Sequence, residues 1–268
     1  MDDQYDRHTL ICDRPSVTLI IPAYNEAQRL PATLELYADA LAAKYGNQFE
    51  LLVVCNGCVD DTAAVASSFM PRYPQLRVEV IDEAIGKGGA VLAGFRLAQG
   101  QTVAFADADA ATSPATLLAL FDELADHEVV IGSRRLRNSV ITVAQPLSRR
   151  FFGWGFTLAV RALFGMRFKD TQCGAKAFHL QAAQELAEIV TEHCWAFDVD
   201  LLLRAHDLGL KVAERPVEWA DREGSQLKAG STFVQVIGSL WRLRTRDRSR
   251  PADSFYGARS SHGAGAGT

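Results

Sequence analysis

The first half of the chain alternates short apolar runs with longer stretches of helical spacing. Val17-Thr18-Leu19-Ile20-Ile21 is apolar almost throughout, is stopped by Pro22, and reads as a buried strand. From Asn25 to Lys44, residues such as Leu30, Leu34 and Leu41 recur at helical spacing, with Pro31 tolerable in a first turn. Glu50 to Val54 predicts a second strand broken by Asn56-Gly57, and Asp60 and Asp61 then cap a helix over Thr62 to Met70. A third strand covers Arg77 to Ile81, Gly86-Lys87-Gly88-Gly89 leads into a helix to Gln99, and a fourth strand covers Thr102 to Ala106. Ser113-Pro114, a cap followed by proline, opens the next helix, and Val129-Val130-Ile131 is a fifth strand. This alternation predicts an α/β fold, a doubly wound and mostly parallel sheet with helices on both faces. After Ile131 it stops, and arginine-rich, aromatic-rich sequence begins.

The change of texture is also a change of charge. Arg134, Arg135, Arg137, Arg149, Arg150, Arg161, Arg167 and Lys169 fall in a segment without a single acid. Lys228, Arg242, Arg244, Arg246, Arg248 and Arg250 follow with only Asp247 among them, so half of the 28 Lys and Arg lie in two short stretches. A single-sign cluster on a protein of net charge −4 usually faces something anionic, while the overall charge gives no case for nucleic acid. The five cysteines are odd in number and scattered, and Cys55-Asn56-Gly57-Cys58 has no second ligand pair, so a reduced, cytoplasmic chain is expected rather than a zinc or redox module. No uncharged run reaches the ~20 residues that span a bilayer.

Two carboxylates at the end of the fourth strand carry the candidate chemistry. In Asp107-Ala108-Asp109 the acids are at i and i+2, on one face of an extended segment, and at the carboxyl edge where open α/β sheets place ligands. Paired hard oxygens suit a divalent cation, Mg²⁺ or Mn²⁺, that arrives with a nucleotide diphosphate; alternatively they are solvated acids of a turn. Tyr24, Asn25 and Glu26 fall at the same edge, either as a helix cap or as a base pocket with Tyr24 as a wall. Gly86-Lys87-Gly88-Gly89-Ala90 lacks the Rossmann and P-loop spacings, yet a small-residue turn at a helix start suits an anion, with Lys87 as counter-charge. Leu147 to Gly165 is either a core helix or an interfacial helix with a stripe of Arg150, Thr157 and Arg161; Phe233 to Trp241 forms a second such segment.

The ordered set Ile21-Pro22-Ala23-Tyr24-Asn25-Glu26, Asn56 to Thr62, Gly86 to Ala90, Asp107-Ala108-Asp109, Gly132-Ser133-Arg134, Asp170-Thr171-Gln172-Cys173-Gly174, Trp195 to Asp200 and Glu223-Gly224-Ser225 resembles family-2 glycosyltransferases of the GT-A fold. Within that family it is similar to the branch that glycosylates polyprenyl phosphates, and Asp170 to Gly174 favours its dolichyl-phosphate glucosyl members. The resemblance covers Val17 to Lys228. It implies that Pro22, Tyr24, Glu26 and Asn56 contact the nucleoside, and that Asp107, Ala108 and Asp109 hold the diphosphate through the metal. It further implies that Arg134 sits between donor and acceptor phosphates and that Arg222 and Lys228 close over the diphosphate. Four positions depart from the pattern: Cys55-Asn56 replaces a frequent pair of acids, Ala111 a metal-binding glutamine of the mannosyl branch, and Gln226 the usual lysine.

The implied domain plan is an extension over 1–14, a transferase domain over 15–230 with nucleotide (15–132) and acceptor (133–230) halves, a basic amphipathic helix over 231–248, and a disordered tail over 249–268. The implied reaction is inverting transfer of a sugar, glucose from UDP-glucose, to a polyprenyl phosphate, with Asp109 and Arg134 central to catalysis. The acceptor phosphate is expected against Arg134, Arg149 and Arg150, and the protein peripheral at the cytoplasmic face of an anionic membrane. Because a phosphate monoester is largely ionised at neutral pH, no general base is needed, in keeping with the lack of an obvious catalytic histidine. Three rivals stay open. One is transfer to a soluble hydroxyl acceptor, with Asp198 or Asp200 as base; another is a mannosyl enzyme using GDP-mannose; the third is a nucleotide-sugar-binding protein without catalysis or a nucleotidyltransferase.

Overall fold

The computed structural model describes residues 14–194, 196–222 and 229–246. Strands β1 (Val17–Ala23) and β2 (Phe49–Asn56) are buried at every position, as continuous apolar runs require when a strand is covered on both faces. With β3 (Leu76–Ile81), β4 (Thr102–Phe105), β5 (Val129–Ser133), β7 (Lys176–His179) and β8 (Val212–Pro216) they form one sheet in the order β3-β2-β1-β4-β7-β5-β8. The pairings are parallel except those of β7, which runs antiparallel to both β4 and β5. A two-stranded sheet of β6 (Val140–Val143) and β9 (Glu218–Ala220) lies apart from it.

Helices cover both faces. On one, α1 (Leu30–Tyr45), α2 (Thr62–Ser68) and α4 (Pro114–Glu123) bury Leu34, Tyr37, Ala66 and Leu120 against Leu19, Ile21 and Val53. On the other, α3 (Gly86–Leu97), α5 (Leu147–Phe164), α6 (Leu180–Ile189), α7 (Phe197–Asp207) and α8 (Ala229–Arg246) share a core with Ile20, Phe105, Phe178 and Phe197. This is the doubly wound, mostly parallel architecture expected. Helix α8 overlaps the basic helix expected over 231–248, while the extension up to residue 13, the chain beyond 246, Trp195 and Glu223 to Lys228 lie outside the described residues.

Several boundaries move, each for a local reason. Pro22 does not end β1: the strand continues to Ala23 against Val54 and Cys55 of β2. Its missing N–H costs nothing there, because β4 stops at Phe105 opposite Ile20 and leaves that side of Pro22 without a strand. Helix α1 starts at Leu30 rather than Asn25, because Asn25 takes a left-handed conformation (φ 55°). Asp61 precedes α2 without capping it; Asp60 Oδ1 accepts from the Thr62 N–H at 3.1 Å instead. Ser113 caps α4 as expected, its Oγ accepting from the Thr116 N–H at 3.2 Å. Strands also continue beyond Ile131, but in runs of three to five residues that carry little periodicity.

Candidate active site

Because β1, β2 and β4 are parallel, the loops that follow them emerge at one edge of the sheet. The first two are stitched together. Asn25 Oδ1 accepts from the Val59 N–H at 2.8 Å, Thr62 Oγ1 from the Glu26 N–H at 2.8 Å, and Asp60 Oδ2 from the Ala27 N–H at 3.2 Å. Asn56 is buried and its Nδ2 donates to the Ala23 carbonyl at 3.1 Å, so its side chain joins β2 to β1. Tyr24 stands exposed beside them. Glu26 is gripped by Arg29 through two bonds, Nε to Oε2 at 2.7 Å and Nη2 to Oε1 at 2.6 Å. Burial raises the pKa of Glu26, Arg29 opposes that, and the charges of Asp109 and Asp107 add to it, so the three carboxylates share one field.

The third loop carries the acidic pair. Ala106 continues the ladder by donating to the Ile20 carbonyl at 3.0 Å, and the chain then turns sharply through Ala110 (φ 53°). The turn is held by Thr33 Oγ1 donating to the Ala108 carbonyl at 2.7 Å and by the Ala111 N–H donating to Asp109 Oδ1 at 3.0 Å. Burial, and then the neighbouring charge of Asp107, raise the pKa of Asp109. Asp107 Oδ1 forms an ion pair with Lys87 in the first turn of α3, whose ammonium lies 5.9 Å from the Phe105 ring centroid. Burial alone would lower the pKa of Lys87, but Asp107, Asp198 and Asp109 together hold it raised. A β-carbon on Gly174 would fall 2.5 Å from Asp107 Cγ, so only glycine lets the 170–174 segment pass against that carboxylate.

That segment also fixes Arg134. Asp170 is buried and receives Arg134 Nε at 2.7 Å, Nη2 at 2.9 Å and the Arg134 backbone N–H at 3.0 Å. Burial pushes Asp170 up, yet the guanidinium outweighs it and sets its pKa at about 2. The other face of Arg134 lies 5.4 Å from the Trp219 ring. Arg149 lies 3.6 Å from Asp221, and Arg150 and Arg222 are exposed. Lys228 is outside the described residues. The two candidate bases separate. Asp198 pairs with the buried Lys176 of β7 at 2.5 Å. Asp200 is enclosed, accepting from the Thr191 and Glu192 N–H groups at 2.8 and 3.0 Å and from Arg204 Nε at 3.0 Å. It therefore anchors the loop before α7 and is spent on structure.

The model of "Glycosyl transferase family 2" matches residues 18–186. The chain belongs to glycosyltransferase family 2. This transferase is 36% identical over 251 residues to the dolichyl-phosphate beta-glucosyltransferase of Drosophila melanogaster, covering 87% of this chain and 76% of the relative. The Dictyostelium discoideum protein of the same name is 31% identical over 246 residues, covering 87% and 75%. Among solved structures, glucosyl-3-phosphoglycerate synthase from Mycobacterium tuberculosis with Mn²⁺, UDP and phosphoglyceric acid superposes with a TM-score of 0.63 at 20% identity, covering 87% of this chain and 78% of that one. A mannosyltransferase from Pyrobaculum calidifontis with GDP-Man and Mn²⁺ gives 0.61 at 20% identity, covering 89% and 65%. At such identities the likeness is one of fold.

Sequence reasoning missed Arg29 on Glu26 and Lys176 on Asp198, and it named Asp170 and Gly174 only within a motif, without their roles on Arg134 and Asp107. Arg29 was within reach of a pattern, since Glu26 and Arg29 are three apart. The others join positions 22 to 67 residues apart, which no local rule connects. The donor set suits a hard cation. Asp107 and Asp109 supply paired oxygens whose mutual repulsion a cation relieves, while among the described residues no group of three His, Cys, Asp or Glu forms a closed metal cage. A divalent ion held by one or two carboxylates characteristically completes its shell with phosphate oxygens of a substrate. Cys55 is buried beside Cys58, and burial pushes its pKa up to about 12.

Proposed function

We propose that the transferase moves glucose from UDP-glucose to a polyprenyl phosphate, with inversion, at the cytoplasmic face of a membrane, and that it uses Mg²⁺ or Mn²⁺. The observation that carries this reading is the meeting of Asp107, Asp109, Lys87 and Arg134 at one sheet edge, between the Tyr24–Glu26 loop and the 170–174 segment. The dolichyl-phosphate beta-glucosyltransferase name shared by relatives 31–36% identical supports the sugar and the acceptor class. Mn²⁺ with UDP or GDP-Man in structures of the same fold supports the metal and the nucleotide.

In this reading Tyr24 and Glu26 border the nucleoside, and Asp107 and Asp109 would hold the ion, which offsets charge on the departing diphosphate. Lys87, at the start of α3, adds a second positive charge beside that leaving group. Arg134 is pre-set by its fork onto Asp170 and turns its remaining N–H groups to the acceptor phosphate. Arg149 and the exposed Arg150 lie on α5 for the same anion. The outer face of α5 presents Leu147, Phe151, Trp154 and Leu158, the pattern of a helix lying in a lipid interface. No helix among the described residues is long and apolar enough to cross a membrane.

A donor screen tests the reading. With a short polyprenyl phosphate as acceptor, UDP-glucose is expected to support turnover well above GDP-mannose, and EDTA to abolish it until Mn²⁺ is restored. Equal use of both donors would overturn the sugar assignment, and full turnover in EDTA would overturn the metal.

A further inference from the structure

The carboxylates around the transferase edge share a feature that bears on which acceptors it can use. Glu26 is paired with Arg29, Asp107 with Lys87, Asp170 with Arg134, Asp221 with Arg149 and Asp198 with Lys176. Asp109 is not among these pairs, and it is a candidate metal ligand. Glycosyl transfer to a hydroxyl needs a carboxylate free to take a proton. Asp198 is placed for that work: it lies in the first turn of α7, its charge acts on Lys87, and α7 abuts α3 where Phe197 closes on Gly88.

Lys176 prevents it. Its side chain has no exposed surface, its ammonium donates to the Cys173 carbonyl at 2.7 Å and to Asp198 Oδ1 at 2.5 Å, and it lies 5.4 Å from the Phe105 ring centroid. Its backbone is locked between Phe105 of β4 and Ile131 of β5. Lys87 is 40% exposed and has room to leave its partner, whereas Lys176 has none. The charges facing Asp198 are Lys176 from β7 and Lys87 from α3, with Asp107 and Asp109 beyond Lys87.

We propose that Lys176 is a positioning residue that sets the acceptor class, because its fixed ion pair withdraws Asp198 from service as a base and leaves the site active only toward acceptors that are already oxyanions. With such an acceptor, an oxygen lone pair forms the new bond to the anomeric carbon, the bond from that carbon to the β-phosphate oxygen breaks, and its electron pair leaves on the nucleoside diphosphate. No proton moves. With water or an alcohol the same bonds change, but a proton must also pass to Asp198, whose Oδ1 is already taken up by the Lys176 ammonium. The proposal rests on the phosphate-acceptor reading above.

Two measurements on the full chain test it. The first is UDP release from UDP-glucose without acceptor, where water is the nucleophile, divided by transfer to a short polyprenyl phosphate. Lys176→Met is expected to raise that ratio at least about tenfold and to give hydrolysis a new acid limb in its pH profile. Lys176→Arg is expected to restore a low ratio, and Lys176→Met with Asp198→Asn to lose the gain. An unchanged ratio in a folded Lys176→Met protein, or a gain that survives in the double variant, would overturn the proposal. The second needs no variant and decides the matter if the methionine protein does not fold. The acid limb of kcat/KM for transfer should track the acceptor's second ionisation, near ~6 for a phosphate monoester, and shift upward with the matching phosphonate. A limb at the same pH for both acceptors would place the base on the protein and overturn the proposal. If neither acceptor is used, the acceptor reading fails, and the rate of UDP release alone, which Lys176→Met should raise and Lys176→Met with Asp198→Asn should not, still decides the role of Lys176.

Discussion

Gly174 bounds the position of Asp107, since a β-carbon there would fall inside the carboxylate, 2.5 Å from Cγ. The clash is with the far end of a side chain, so Gly174→Ala is expected to leave the fold standing and to push Asp107 off its mark. Displacing a reacting group by about 1 Å costs on the order of 10² in rate. We therefore expect kcat/KM to fall about a hundredfold while the circular-dichroism melt stays near that of the parent; turnover within tenfold of the parent would show that the placement of Asp107 is not critical. Residue spacing also explains what the sequence disclosed at this scale. Asp107 and Asp109 are two apart, and although the chain turns at Ala108 and Asp109 where the sequence predicts an extended segment, their charges still act on each other and on Glu26. Asp198 and Asp200 are also two apart, but on a helix that spacing turns them about 200° from each other. One meets Lys176 and the other Arg204 and the 191–192 amides. Identical patterns thus had different outcomes because the backbone beneath them differed.

At the scale of elements, the five leading strands and their helices were legible because each is a long periodic or continuous apolar run bounded by Gly, Pro or a capping side chain. Strand β7 was not, being four residues with a lysine at its start. A charged residue in a central strand contradicts every local rule, and only the partner on α7 explains it. Helix α5 was legible as two alternatives, core or interface; the structure buries one face and leaves an apolar stripe exposed on the other. Val160 and Phe164 are buried, while Leu147, Phe151, Trp154 and Leu158, spaced at i, i+4, i+7 and i+11, are 79%, 72%, 61% and 54% exposed. An apolar stripe of this size facing outward marks an interaction surface. Fully burying one such side chain contributes about 1.5–3 kcal/mol. Changing Phe151, Trp154 and Leu158 to Ser together is thus expected to weaken sedimentation with anionic vesicles at least tenfold without shifting the thermal midpoint, since none of the three supports the core. Undiminished binding would overturn α5 as the proposed membrane-facing helix.

Across the whole molecule, the reversed direction of β7 is what completes the site. Because β7 runs against β4, its beginning, and the 170–174 segment before it, arrive at Asp107, just beyond the end of β4. The same segment carries Asp170 to Arg134 at the end of β5, so one ion pair ties the approach to β7 to the end of β5. Its effect on stability has a definite sign. The carboxyl ordinarily titrates near 3.8 and in the fold near about 2, so the unfolded chain binds the proton more readily. That difference is worth about 2 kcal/mol at neutral pH, is intact above about pH 5, and is lost as pH falls toward the folded value, roughly half of it by pH 3. Asp170→Asn leaves the Arg134 guanidinium buried without its counter-charge, which costs on the order of 3–5 kcal/mol. In urea melts the gap between parent and Asp170→Asn should therefore be widest near pH 7 and should narrow below pH 4. A gap that stays constant down to pH 3 would mean that Asp170 acts through its shape and hydrogen bonds, and that the charge of the pair does not hold the 170–174 segment to the end of β5.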